Sequence, residues 1–384
     1  MKTHLSFFLT LLTCFSLVTL STGSSVFLVL TILLILVLIT DFISVLWASG
    51  TLSVSVGRPD SLIHRGDQVN LTLSVRHRGR LPVAPVLLDL VIPFSHSEKE
   101  IRLKDLPGRR QVLNLPVRAS HVGAFTIGIR SVTVEDLFSL FEKTIIPDQS
   151  LFSLTVLPLT FDTEPLTLAP GDPGSDVVAQ ATEDLNAPSD IRAYQPGDAM
   201  KKIHWKLSLR KGELIVRKFD EPILQDVLIL LDCSSPPSWD HPQAEADIRD
   251  SLIETAASVF TAEYRTEHGI HLPLQGNHPL DIDKSMGLPL AMENLAQLDF
   301  SAADRFERVL SLESRRLRKV GCVAVISARL NPAMVDIMIR MHRMGPDMRL
   351  YLITFVPDDP ALLPLIARLR HTGIEVSYVT PAPS

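Results

Sequence analysis

Residues 191–210 read IRAYQPGDAMKKIHWKLSLR and hold Arg192, Tyr194, Gly197, Asp198, His204, Trp205, Lys206 and Arg210. A short apolar run, VLILLD at 227–232, follows and ends in Asp232. An imidazole and a carboxylate are the pair that proton-transfer chemistry needs, so His204 and Asp232 would carry a hydrolytic site, with or without a metal. Adjacent residues do not converge, however. IHWK alternates faces on a strand and spreads around a helix. Two readings follow for the segment. Arg192, Lys206 and Arg210 pair with acidic groups of the next domain while Trp205 buries its ring between domains. Alternatively, the segment rims a site near Asp232. HExxH, GxSxG and a P-loop are all missing from the sequence. HGIH at 268–271 spaces two histidines by three but straddles a helix end and a strand, which reads as a solvated turn.

The elements that must position these residues lie on both sides. From 223 to 384 apolar strand runs alternate with helical periods. VLILLD, IHLPLQ, CVAVIS (322–327), RLYLITFV (349–356) and IEVSYV (374–379) are the strands. Helices are expected at 242–268, 289–298, 303–316, 331–344 and 361–371, with Asn331 as a cap and Pro332 in the first turn. That rhythm gives a doubly wound α/β domain with a parallel sheet covered on both faces. Ligands in such sheets bind at the carboxyl ends of strands, where Asp232 falls.

Residues 51–160 alternate at period two instead. TLSVSV, VNLTLSV, VLLDLVI, QVLNLPV, AFTIGI and LFSLTVLP are separated by turn signals about every ten residues, which predicts a β-sandwich. RGD at 65–67 reads as a tight turn before a strand, and the sequon NLT at 70–72 lies inside one. Residues 161–222 form a connector, rich in Pro, Gly, Asp and Ser to 190, that contains the segment described first.

Residues 1–50 are apolar. LSFFLTLLTCFSLVTL carries no charge, and VFLVLTILLILVLITDFISVLW at 26–47 carries only Asp41. About 20 helical residues cross a bilayer core, so a transmembrane helical hairpin turning at STGSS is expected. Lys2 and Arg58, Arg65, Arg76, Arg78 and Arg80 flank it, which places the soluble domains in the cytoplasm. The rival is a cleaved signal peptide over 1–25, with the bulk outside.

A formal charge of -6 argues against nucleic acid as a partner. Cys14, Cys233 and Cys322 show neither CxxC nor zinc spacing.

The signature resembles the family known as domain of unknown function fifty-eight. Its pattern is an R-x-Y-x-x-G-D turn, an I-H-W-K run, a basic residue, then a strand ending in Asp and Ser. Arg192, Tyr194, Gly197, Asp198, His204, Trp205, Lys206 and Arg210 match it. GAFTIG at 123–128 matches a G-x-[YF]-x-[IL]-G segment, and EDLFSLF at 135–141 stands where the family has a D-P-F-G-L-F-like run.

The resemblance implies a C-terminal domain like von Willebrand factor A domains, which bind Mg²⁺ through D-x-S-x-S and a later aspartate. Asp232 and Ser234 match the first two positions, but Pro236 takes the third. Ser327-Ala328-Arg329 stands where the later aspartate belongs, so the metal site is degenerate and no cofactor is expected. Relatives are encoded beside MoxR-type AAA+ ATPases. The implied function is a membrane-anchored, non-enzymatic adaptor working with such an ATPase in assembly or maturation of a complex. The alternatives are a membrane-bound hydrolase using Asp232 and His204, and an extracellular adhesion protein if residues 1–25 are a signal peptide.

Overall fold

The structure, a computed structural model, describes residues 2–78, 85–93, 100–103, 110–136, 138, 140–148, 150–166, 190–194, 203–218, 226–237, 243–266, 268–274, 280–300 and 305–382. The chain divides into two compact units, Met1–Leu157 and Pro158–Ser384.

The first unit opens with two apolar helices, α1 (Lys2–Thr22) and α2 (Ser25–Thr51). Gly23, at φ 64°, lies between them, and the Phe15 and Phe27 rings meet at 6.3 Å. α2 is long and apolar enough to cross a membrane. It runs straight into β1 (Leu52–Val56), where the Leu52 N–H bonds back to the Ala48 carbonyl.

One sheet has the order β1-β3-β6, with β3 (Gln68–His77) and β6 (Arg110–Arg118) both antiparallel to their neighbours. The other has the order β2-β9-β7-β4-β5, built from β2 (Leu62–His64), β4 (Val86–Val91), β5 (Glu100–Leu103), β7 (Gly123–Glu135) and β9 (Leu151–Leu157). β8 (Glu142–Ile145) adds to β7. Alternate residues Leu71, Leu73 and Val75 of the first sheet share one core with Leu88, Leu90, Ile127, Ile129 and Leu154 of the second. Burying such a side chain contributes about 2 kcal/mol, so the period-two pattern itself sets which face turns inward.

Within the GAFTIG segment, Gly128 has φ 146°, and a Cβ there would lie 1.9 Å from the Ser150 carbonyl oxygen. Only glycine allows that approach. RGD forms the expected turn, with Asp67 N–H donating to the His64 carbonyl. Arg65 is buried, and its Nε donates to the Ser120 carbonyl at 2.8 Å, so the arginine is not displayed as an adhesion ligand.

The second unit carries a six-stranded sheet in the order β14-β13-β12-β15-β16-β17. β12 (Asp226–Leu231), β13 (Ile270–Leu274), β15 (Val320–Ser327), β16 (Asp347–Ile353) and β17 (Glu375–Val379) are parallel. β14 (Leu280–Asp283) is an antiparallel edge.

A separate two-stranded ribbon pairs β10 (Asp190–Ala193) with β11 (Ile215–Lys218), and α3 (Trp205–Lys211) precedes β11. Then come α4 (Ala244–Tyr264), α5 (Leu288–Ala296), α6 (Phe306–Glu313), α7 (Pro332–His342) and α8 (Leu363–His371). Asn331 caps α7 as expected, its Oδ1 accepting the Met334 N–H at 2.9 Å. Leu228, Leu230, Val323, Val325, Leu350 and Leu352 face α6, α7 and α8. The alternate residues Ile229, Leu231, Ala324 and Ile326 are equally buried, and α4 packs against β12, β15 and β16. Strands covered on both faces explain the continuous apolar runs.

Candidate functional site

The signature folds into a self-tied corner. β10 and β11 pair with Ala193 opposite Ile215, and the next donor, Tyr194 N–H, reaches the Leu214 carbonyl at 2.8 Å. Arg192 therefore sits on β10, and Tyr194 just beyond it. Gly197 and Asp198 lie outside the described residues. Ile203 bridges to Val216, and His204 N–H bonds to the Ile215 carbonyl at 2.8 Å.

His204 is the N-cap of α3, with its Nδ1 accepting the Leu207 N–H at 3.3 Å. Ser208 is buried and its Oγ accepts the Ile215 N–H at 2.9 Å. Gly212, at φ 72°, ends the helix in the left-handed conformation. The imidazole Nδ1 and the Ser208 hydroxyl thus both hold backbone N–H groups.

What the corner presents is a different set. Trp205 is 56% exposed and Leu209 83%. They stand at i and i+4, beside the exposed pair Lys206 and Arg210 at the same spacing. Neither Lys206 nor Arg210 forms an ion pair among the described residues. The expected burial of Trp205 between domains is therefore not found, nor are the expected acidic partners for these two cations. A seven-residue helix has room to bury one face only, and Ser208 with Leu207 takes it.

The second cluster lies at the carboxyl ends of β12 and β15. Asp232 is 3% exposed. Its Oδ1 accepts both the N–H and the hydroxyl of Ser234, and its Oδ2 accepts the Ser327 hydroxyl at 2.7 Å. The Arg329 N–H returns to Ser327 Oγ at 3.0 Å, and its guanidinium donates to the Ser235 carbonyl. On the next strand end, Thr354 Oγ1 accepts the Val356 N–H at 3.1 Å. A cleft of about 360 Å³, lined by Pro236, Glu245, Arg249, Asp299 and Phe300, opens beside this loop.

This donor set does not fit a divalent cation. Asp232 is the one carboxylate of the cluster, and the Arg329 guanidinium is held on the same loop by the Ser235 carbonyl, whereas Mg²⁺ needs several oxygen ligands. Pro236 supplies no side-chain oxygen, and both oxygens of Asp232 already accept hydrogen bonds. His204 and Asp232 share no hydrogen bond or ion pair: the first accepts the Leu207 N–H and the second the Ser234 and Ser327 donors. His271, half of the HGIH pair, lies 3.7 Å from Asp226 and 3.5 Å from Asp281, as a sheet-edge ion pair.

One buried group was not singled out by sequence. Glu263 of α4 is fully buried and accepts the Leu166 N–H at 2.6 Å. Leu159 and Phe161 N–H groups likewise bond Glu254 and Ser258 of α4. Burial raises the Glu263 carboxyl above its ordinary range, against the pull of the Leu166 N–H, His268, Arg349 and Lys284. Burial also pushes the nearby Cys322 thiol up to about 12, which keeps it an unreactive thiol. The only sequence signal for Glu263 was its place at helical spacing from Leu252, Ala256 and Val259, which are all buried.

Fold and site together define a multidomain protein with an apolar N-terminal helix and two different sheet units. The family model described as "Protein of unknown function DUF58" matches residues 190–345, the stretch that holds both clusters. The chain is 23% identical over 227 residues to "Uncharacterized protein YeaD" of Bacillus subtilis, a match covering 56% of each chain. It thus spans about half the length of that relative. Among solved structures, the CARDB domain of the PF1109 protein from Pyrococcus furiosus aligns at 16% identity, covering 28% of this chain and 87% of that one, with a TM-score of 0.21. A cohesin module from Clostridium perfringens aligns at 10% identity, covering 28% and 96%, with a TM-score of 0.18.

Proposed function

We propose that this protein is a membrane-anchored, non-enzymatic interaction module whose partner-facing surface is α3. The observation that carries this reading is the exposed Trp205–Leu209 pair flanked by Lys206 and Arg210, which form no ion pair among the described residues. Trp and Arg dominate the energetics of protein interfaces because a large ring and a planar cation give area and geometry together. α1 and α2 serve as a transmembrane hairpin, the N-terminal sheets as a β-sandwich spacer, and the C-terminal unit as a von Willebrand factor A-like domain on the cytoplasmic side. The hydrogen-bonded Asp232–Ser327–Arg329 cluster joins the strand-end loops. The partner is a protein with an acidic surface, and the family resemblance makes a MoxR-type AAA+ ATPase the first candidate.

The test is site-specific photocrosslinking in the native membrane, with benzoylphenylalanine at Leu209. A crosslink to an AAA+ ATPase that is lost in Trp205→Ala supports the reading. A crosslinker at Leu209 that captures nothing, in a protein that fractionates with the membrane, overturns it.

A further inference from the structure

Asp136, Phe138 and Phe141 follow β7 within the first unit, and both phenyl rings meet the apolar helices. The Asp136 carboxylate accepts the Phe138 N–H at 3.2 Å and the Phe141 N–H at 2.8 Å, while its own N–H bonds the Phe141 carbonyl at 3.2 Å. These bonds satisfy backbone groups internally. The Phe141 ring packs on Phe42 of α2 at 5.4 Å, and the Phe138 ring on Phe8 of α1 at 6.0 Å. Phe138 is nevertheless 51% exposed.

α2 is buried on one stripe only. Asp41, Val45 and Ala48, at i, i+4 and i+7, are covered by protein, while Ile39, Ile43 and Leu46 remain exposed. Asp41 is 8% exposed, and one of its oxygens has no partner.

Length fixes the depth of this arrangement. Twenty-seven helical residues at 1.5 Å extend about 40 Å, against a hydrocarbon core of about 30 Å. A core that begins at the start of α2 reaches about to Val45. Phe42 then lies below the membrane surface, and so does the Phe141 ring that packs on it, with Phe138 three residues away against Phe8 of α1. Irregular backbone survives at that depth only when its polar groups are satisfied, and Asp136 satisfies the Phe138 and Phe141 N–H groups.

We propose that Phe138 and Phe141 are inserted in the bilayer beside α1 and α2, with acyl chains covering the free face of Phe138. The inference rests on the membrane-anchored reading. It adds that the β unit is seated in the membrane surface and not merely tethered to it.

The experiment uses the full chain with Cys14→Ser, reconstituted in phosphatidylcholine–phosphatidylglycerol vesicles. Single cysteines replace Phe138, Ile35 within α2, or Gln68 at the far end of β3, each carrying an NBD label. Quenching by lipids with a nitroxide near the glycerol is expected to be at least about threefold stronger at Phe138 than at Gln68. Ile35 should be quenched more by a nitroxide deep in the chain. Phe138 behaving like Gln68 while Ile35 is quenched overturns the insertion and leaves the anchor standing. Ile35 and Phe138 both unquenched overturns the anchor and the insertion together. Photolabelling of the unsubstituted protein with a diazirine lipid, mapped by mass spectrometry, provides a measurement free of any substitution at the loop. Adducts on Phe138 or Phe141 support insertion, and adducts confined to α1 and α2 count against it.

Discussion

The Ser327 hydroxyl donates to the Asp232 carboxylate at 2.7 Å, joining two strand ends that lie 95 residues apart in the chain. A buried carboxylate is costly unless its oxygens are occupied, so this bond and the two from Ser234 make Asp232 tolerable where it is. Ser327→Ala removes one donor from a buried charge and should cost about 2 kcal/mol in urea unfolding. Ser234→Ala should cost a similar amount, since the Ser234 backbone N–H remains in place but its hydroxyl is lost.

The same cluster makes a prediction about metal. MgCl₂ at millimolar concentration should shift the melting temperature of the unsubstituted protein by less than about 1 °C, since Asp232 is the single carboxylate of the cluster and both its oxygens already accept hydrogen bonds. Arg329→Asp exchanges the guanidinium for a carboxylate and should create a Mg²⁺-dependent rise of a few degrees. Magnesium stabilising the unsubstituted chain as strongly would show that Arg329 does not fill the cation's role.

Lys206→Glu with Arg210→Glu should leave the melting temperature within about 1 °C, because both side chains are exposed and form no ion pair among the described residues. Capture of the partner should fall at least about tenfold. Ser208→Ala, on the inner face of the same helix, should do the reverse of this on stability. It strips the Ile215 N–H of its acceptor at a cost of about 1–2 kcal/mol. Calorimetry alongside crosslinking yield separates the two effects.

Gly128→Ala should destabilise the first unit by at least about 3 kcal/mol, since the new Cβ meets the Ser150 carbonyl and φ lies in a region side chains avoid. Gly66→Ala, with open space around it, carries only the strain of its φ of 86° and should cost less.

Glu263 predicts a pH dependence. Its carboxyl titrates above the ordinary value of 4.5 in the folded chain, because burial disfavours the charged form. The folded state then holds a proton that the unfolded state has released. Its stabilising contribution is complete below the unfolded value and is lost as pH rises through the folded one. Glu263→Gln keeps an acceptor for the Leu166 N–H and cannot ionise. Stability measured from pH 4 to 8 should therefore fall less in the Gln variant, with a gain of about 1 kcal/mol at the upper end. Parallel curves for the two proteins would remove Glu263 from the account.

The alternation of VNLTLSV and the unbroken apolar run of CVAVIS announced their strands, because buried faces impose period two or none. β5 and β8 carried no such signal. EIRL and EKTI are short and largely exposed, held by pairing with β4 and β7 and not by their own composition. At the site, Asp232 was legible from its place after an apolar strand. The bond from Ser327 was not, since only the parallel register of Leu231 with Ile326 brings the two ends together. Trp205 was misread for a related reason. A tryptophan in a polar segment suggests burial, but Ser208 and Ile215 close the corner without it.

α2 passes into β1 without a loop, since Leu52 is at once the helix cap and the first strand residue. No residue lies between helix and strand to absorb a change of direction, so a tilt of α2 is carried straight into β1.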